Sequence, residues 1–143
     1  MACSHKPASF RIKADDFSSK KKYSEAIQAY WDHINQRLAV QSKPDWENPY
    51  IYLLDIGDLY LEQNKVDQAM EAYLGAEKQG VKDGYINDRL RFVASWYEEH
   101  GELEKAIQHL KKYRERDELL FDLMLNRLAR KLVDSEDLTP SQP

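Results

Sequence analysis

The cysteine and histidine residues that could do nucleophilic or metal chemistry are few in this 143-residue chain. A zinc site requires about four Cys or His ligands at characteristic short spacings, and the single cysteine, Cys3, has no ligand neighbour at a useful spacing. The histidines are His5, His33, His100 and His109. Acid pairs such as Asp15-Asp16 and Glu98-Glu99 could supply a general acid and base, but carboxylates on helix surfaces are ordinarily solvated. We therefore predict a non-enzymatic protein with no metal and no cofactor.

The composition favours one soluble globular domain with a protein partner. Hydrophobic residues make up 42% of the chain, which is enough for a core and too much for a disordered segment. The 25 acidic residues outnumber the 21 basic ones, whereas nucleic-acid binders usually carry a basic face. No stretch approaches the roughly 18 apolar residues of a membrane span. We expect a protein or peptide partner, no nucleic acid and no small-molecule substrate.

The cysteine leaves two interpretations of the cellular location open. A single Cys3 excludes an intrachain disulfide, which is consistent with a cytoplasmic protein whose residues 1–7 are flexible. The run Ala2-Cys3-Ser4 also resembles the mature start of a bacterial lipoprotein, although the apolar signal segment is missing from this sequence. In that case Cys3 carries lipid, the protein is periplasmic and membrane-anchored, and it acts as an assembly factor.

The strongest pattern in the chain is a short helical motif that occurs three times. In each copy an alanine is followed four residues later by a large ring or a leucine, which places both on one helix face. The pairs are Ala26 and Tyr30, Ala69 and Tyr73, and Ala106 and Leu110. Repetition at a few tens of residues is typical of stacked helical units.

Together with this repeated motif, the rest of the sequence predicts an all-α chain without strands. Periodicity and turn residues give three helix pairs at about 8–40, 49–80 and 86–116, a further helix at about 118–133, and a flexible tail at 135–143. We expect Ser24 to cap the second helix, Pro49 to begin the third, and Gly80 and Gly84 to bracket the turn before the fifth. Gly101 suits a left-handed turn. Asp117 either caps the seventh helix or lies within a fusion of the sixth and seventh.

The residues of these units resemble the tetratricopeptide repeat (TPR) family. The second unit has Leu53-x₂-Ile56-Gly57-x₂-Tyr60 and Ala69-x₃-Tyr73; the third has Leu90-x₂-Val93-Ala94-x₂-Tyr97 and Ala106-x₃-Leu110; the first has Phe10-x₂-Lys13-Ala14-x₂-Phe17 and Ala26-x₃-Tyr30. The closing proline is absent, and the units recur after 43 and 37 residues rather than 34. The resemblance implies a right-handed α-α superhelix (solenoid) of about three TPR pairs with a C-terminal capping helix.

The resemblance also implies a concave groove lined by the first helix of each pair, and a scaffold or adaptor function. The groove residues would be Arg11, Asp15, Ile51, Leu54, Asp58, Leu61, Glu62, Asp88, Arg91, Ser95 and Glu98. In this set apolar residues lie at the centre and acidic residues lie beside them. We therefore expect the ligand to be a peptide or helix with apolar and basic residues. Chaperone adaptors of the family hold acidic C-terminal tails with cations. Here Asp15, Asp55 and Asp88 occupy such places and would repel those tails. The alternative that the acids are ordinary solvated surface stays open.

The last predicted helix has an apolar inner face and two leucines outside it. The inner face would contain Phe121, Met124, Leu125, Leu128 and Leu132. Leu119 and Leu123 are expected to pack against the end of the sixth helix. If they are exposed instead, they form a dimer contact, which leaves a monomer, a weak homodimer and a self-assembling structural protein as alternatives.

Overall fold

The computed structural model describes residues 9–137, and for Asp137 the backbone alone. Seven α-helices and two short 3₁₀ turns follow one another, and no strand occurs in this part of the chain, as predicted. The helices are α1 (Phe10–Ser19), α2 (Tyr23–Leu38), α3 (Tyr52–Glu62), α4 (Val66–Lys78), α5 (Asp83–Glu99), α6 (Leu103–Tyr113) and α7 (Glu118–Asp137). The 3₁₀ turns span Pro49–Ile51 and Arg114–Arg116.

Consecutive helices pack into two compact units. The N-terminal unit ends at Val81 and contains α1 to α4, with α1 on α2, α2 on α3 and α3 on α4. The C-terminal unit begins at Lys82 and contains α5 to α7, with α5 on α6 and α6 on α7. The fully buried large side chains include Ile34, Ile56 and Tyr73 in the first unit and Ile86, Leu90, Leu110, Phe121 and Leu128 in the second.

Small residues lie where the two helices of each pair contact each other. Ala26 lies twelve positions after Ala14, Ala69 twelve after Gly57, and Ala106 twelve after Ala94, and all five alanines are fully buried. The second pair has no room for a Cβ at Gly57, because the added atom would lie 2.4 Å from Cε1 of Tyr73. Small residues therefore allow the two helices of a pair to approach closely, as the repeated motif predicts.

The turn inside each pair is also repeated. Its central residue is left-handed in all three pairs, with φ of 57° at Lys21, 62° at Asn64 and 74° at Gly101. The next residue donates its backbone N–H to a carbonyl five positions earlier, from Lys22 to Phe17 at 2.8 Å, from Lys65 to Tyr60 at 2.9 Å, and from Glu102 to Tyr97 at 2.8 Å. This bond satisfies a carbonyl at the end of the first helix, as in the Schellman motif. The prediction for Gly101 is confirmed.

Several predicted helix ends differ from the structure. α2 begins at Tyr23 and has no side-chain cap, so the prediction that Ser24 caps it was wrong. Pro49 begins a 3₁₀ turn rather than α3 itself, and the Asn48 side chain caps that turn by accepting the N–H of Tyr50. Gly84 lies within the first turn of α5 rather than in the connection before it.

The end of the chain also differs in part. α6 and α7 are separate, and Asp117 caps α7 by accepting the N–H of Leu120 at 3.2 Å. α7 continues four residues beyond the predicted end at 133. Phe121 and Leu128 are fully buried in the inner face. Leu119 and Leu123 are 72% and 58% exposed, so the prediction that they pack against the sixth helix was wrong.

No helix within residues 9–137 is both long enough and apolar enough to cross a membrane. Cys3 precedes the described residues, so its lipidation stays a prediction.

Candidate functional site

Two of the predicted groove acids are hydrogen-bonded inside their own helix pair. The Tyr30 hydroxyl donates to Asp15 at 2.7 Å, and the Tyr73 hydroxyl donates to Asp58 at 2.6 Å. In both pairs the acid directly follows the small residue of the first helix, and the tyrosine lies fifteen residues after the acid. Burial and the bond to Asp15 raise the pKa of Tyr30, which keeps its hydroxyl a donor.

The third pair replaces both partners of this hydrogen bond. Ser95 stands where the acid would be, and Leu110, fifteen residues later, stands where the tyrosine would be. Leu110 has no hydroxyl, so a carboxylate at position 95 would lack this donor. The matched change indicates that Asp15 and Asp58 serve the helix pair. The repeated fifteen-residue spacing was a signal in the sequence that pattern reading missed.

The two predicted groove acids of α5 are also engaged within the C-terminal unit. Asp88 pairs with Arg91 one turn along the same helix. Glu98 accepts two hydrogen bonds from Arg127 at 2.8 and 2.9 Å and one from Lys131 at 2.9 Å. The hydrogen bond from Arg127, aided by Lys131, lowers the pKa of Glu98 to about 2. Glu98 therefore joins α5 to α7.

The remaining predicted groove residues differ in how far their side chains are exposed to solvent. Leu54 is only 3% exposed, so its assignment to an open groove surface is corrected: it belongs to the core. Ile51 and Leu61 are half-buried and Glu62 is exposed. Arg11 contacts Asp15 at 3.4 Å across one exposed helical turn. Glu62 makes no hydrogen bond or ion pair within the described part of the chain.

An aromatic cluster joins α2 to the start of α3. The Tyr52 ring stacks on Tyr30 with centroids 6.1 Å apart and meets the edge of His33 at 4.7 Å. Nδ1 of His33 is buried and has no hydrogen-bond partner among residues 9–137. Burial lowers the pKa of His33, and the positive charges of Arg11 and Arg37 lower it further. Burial raises the pKa of Tyr52. These three rings are therefore neutral near pH 7 and pack the two helices together.

A second, part-buried histidine contact lies in the C-terminal unit. Nε2 of His109 lies 2.7 Å from the Leu90 carbonyl and donates to it, which ties α6 to α5. Burial lowers the pKa of His109, so the neutral ring is favoured. No group of three or more His, Cys, Asp or Glu side chains that could hold a metal ion occurs among the described residues.

An open cleft of about 490 Å³ lies between α1 and α2. Its apolar lining consists of Phe10, Phe17 and Ala29, and its polar lining includes Lys13, Glu25 and Asp32. Phe10 and Phe17 are each only half-buried. The cleft therefore presents two aromatic side chains beside charged groups of both signs.

The connection between α2 and α3 presents Trp46 to solvent. This residue is 83% exposed, although the two residues that follow it are hydrogen-bonded. Arg37 donates to both oxygens of Glu47, at 2.8 and 2.6 Å, and Nδ2 of Asn48 donates to the Gln79 carbonyl at 2.9 Å. An exposed tryptophan on a bonded loop is typical of a binding anchor.

No protein-family model matches the chain, and no curated protein is significantly similar to it. The resemblance to the TPR family therefore stays a prediction from the sequence.

Proposed function

We propose that this protein is a non-catalytic protein-interaction module, a scaffold or adaptor of the TPR type. In this proposal the three helix pairs form a right-handed superhelix and α7 caps its last pair. The supporting observation is the recurrence, in three pairs, of the same twelve-residue spacing between small residues and the same left-handed turn. Repeated helix pairs of this kind build extended surfaces on which partners bind.

The proposed ligand is a peptide or helix with apolar anchors and a basic residue. Its apolar anchors would contact Ile51 and Leu61, and its Lys or Arg would contact Glu62. Asp15, Asp58, Asp88 and Glu98 already have partners within their units. Glu62 therefore carries most of the proposed preference for positive charge, because an unpaired carboxylate gains more from a new cation than a paired one.

Selection from a random peptide display library tests this proposal and requires no identified partner. Peptides enriched on the wild-type protein should combine apolar residues with Lys or Arg. Their dissociation constants would then be measured by fluorescence anisotropy against wild type and Glu62→Lys. We expect Glu62→Lys to weaken binding about tenfold, which corresponds to about 1.4 kcal/mol.

The matched control is Glu71→Lys, which makes the same charge change at an exposed position on α4. We expect it to alter the dissociation constant less than about twofold, because only general charge effects remain. Equal losses in the two variants would contradict a site at Glu62. Failure to enrich any peptide would count against peptide binding as the function.

A further inference from the structure

We propose that Trp46 of one molecule inserts into the α1/α2 cleft of a second copy of this chain. Trp46 does not fill the cleft of its own molecule, because 83% of its surface is exposed to solvent. Every molecule therefore carries one exposed anchor and one open cleft, both in its N-terminal unit. The contact is a self-association surface separate from the proposed peptide site at Ile51, Leu61 and Glu62.

The loop that carries Trp46 is suited to this contact because its position is already determined. The Arg37–Glu47 ion pair and the bond from Asn48 to Gln79 hold the chain immediately after the tryptophan. On the preceding side, Nζ of Lys43 donates to the Val40 carbonyl at 3.2 Å. The backbone of this loop therefore loses less conformational freedom on binding than that of an unbonded loop, which favours affinity.

The cleft has the chemistry that an indole requires. Phe10 and Phe17 supply aromatic surface against which an indole packs edge to face or stacked. The carboxylates of Glu25 and Asp32 are acceptors within the same lining for the indole N–H, which would otherwise lose its water on burial.

The charges that accompany the two surfaces are also complementary. Asp45 precedes Trp46 in the chain, and Lys13 lies in the cleft, where its Nζ is 5.6 Å from the Phe10 ring centroid. Lys43 approaches with the same loop, and the cleft carries Glu25 and Asp32. In the proposed contact Asp45 faces Lys13, and Lys43 faces Glu25 and Asp32.

Sedimentation equilibrium of the full chain tests the proposal with two complementary variants. Trp46→Ala removes the anchor, and Gln28→Trp fills the cleft from an exposed position in its lining. We expect reversible self-association of wild type and a dissociation constant at least about 30-fold weaker in either variant alone. An equimolar mixture should regain association, because Trp46→Ala retains a cleft and Gln28→Trp retains the anchor.

Trp31→Ala is the matched control, since Trp31 is 37% exposed on α2 and does not line the cleft. It should leave the dissociation constant within about twofold of wild type. Circular dichroism confirms that each variant is folded. A second readout is the emission of Trp46 in a Trp31→Phe/Trp96→Phe background, which should shift to shorter wavelength as protein concentration rises.

Three results would overturn the proposal. The first is a wild-type protein that stays monomeric up to millimolar concentration, which would leave the cleft to a different protein. The second is undiminished association of Trp46→Ala, which would assign self-association to the exposed Leu119 and Leu123 of α7. The third is a mixture of the folded variants that fails to associate, which would separate Trp46 from the cleft.

Discussion

At the scale of single residues, Tyr30 and Tyr73 show how side chains first assigned to binding serve the fold. Each hydroxyl donates to a carboxylate on the partner helix of its own pair, over 2.7 and 2.6 Å. The sequence suggested that Asp15 and Asp58 were acidic groups presented to a ligand. The structure shows that their charge is already hydrogen-bonded, which reduces what they could contribute to a basic partner.

Removing either hydroxyl should destabilise the protein. We expect Tyr30→Phe and Tyr73→Phe each to lower the free energy of unfolding by about 1 kcal/mol, since a charge-assisted bond is lost but water can still reach the carboxylate. Urea denaturation measures this. Tyr60→Phe is the control, because the Tyr60 hydroxyl makes no hydrogen bond within residues 9–137. It should change stability by less than about 0.5 kcal/mol, and a comparable loss there would contradict a specific role for the two bonds.

At the scale of helices, the close approach of α3 and α4 depends on the absence of a side chain at Gly57. Tyr73 is fully buried, so its ring has little room to move away from an added Cβ. The turn that follows adopts the same left-handed conformation as in the other two pairs. The helix pair thus recurs three times among the described residues, and its second copy has no room for a Cβ at Gly57.

Two Gly→Ala substitutions separate packing from helix propensity. Gly57→Ala should lower the free energy of unfolding by about 2 kcal/mol, because overpacking against Tyr73 outweighs the roughly 1 kcal/mol by which alanine favours a helix over glycine. Gly84→Ala should instead raise it by about 0.5 kcal/mol, since no atom lies within 4 Å of the added Cβ. Denaturation midpoints report both changes. A stabilised Gly57→Ala would show that the two helices can separate without cost.

At the scale of the whole molecule, titratable groups make the free energy of unfolding depend on pH in two pH ranges. Burial lowers the pKa of His33 and His109, so the unfolded chain binds more protons below its own histidine pKa of about 6.5. Stability is therefore complete above that pH and falls as the pH decreases through it. Glu98, whose pKa is about 2 in the folded protein, contributes stability above about 4.5 that is lost as the pH falls towards 2.

A single substitution should reduce the pH dependence of stability in one of these two pH ranges and leave the other unchanged. His109→Gln can still donate to the Leu90 carbonyl, and we expect it to make the decline between about pH 6.5 and 5 shallower while matching wild type at pH 8. Glu98→Gln should lower stability at neutral pH by about 1 kcal/mol, because Arg127 and Lys131 are half-exposed and solvent screens them. It should also flatten the decline below about pH 4.5. Unfolding measured across pH checks both, and an unchanged profile in either variant would refute that group's assignment.

The sequence by itself determined the helices and the way they pair. Helical periodicity, small residues at fixed spacing and turn residues such as Gly101 act over short stretches of chain, so neighbouring residues are sufficient to predict their effect. Local reading was less reliable at helix starts. Ser24 and Pro49 carry cap and first-turn signals, but α2 begins one residue before Ser24 and a 3₁₀ turn precedes α3.

Only the tertiary structure decided which of the predicted groove residues remain available to a partner. Glu98 is bonded to Arg127, twenty-nine residues later, and Leu54 is buried, whereas Leu119 and Leu123 are exposed. Such outcomes depend on which side chains meet across helices, and the period of one helix carries no information about that contact. Trp46 is likewise exposed, next to residues that an ion pair and a hydrogen bond join to α2 and to Gln79.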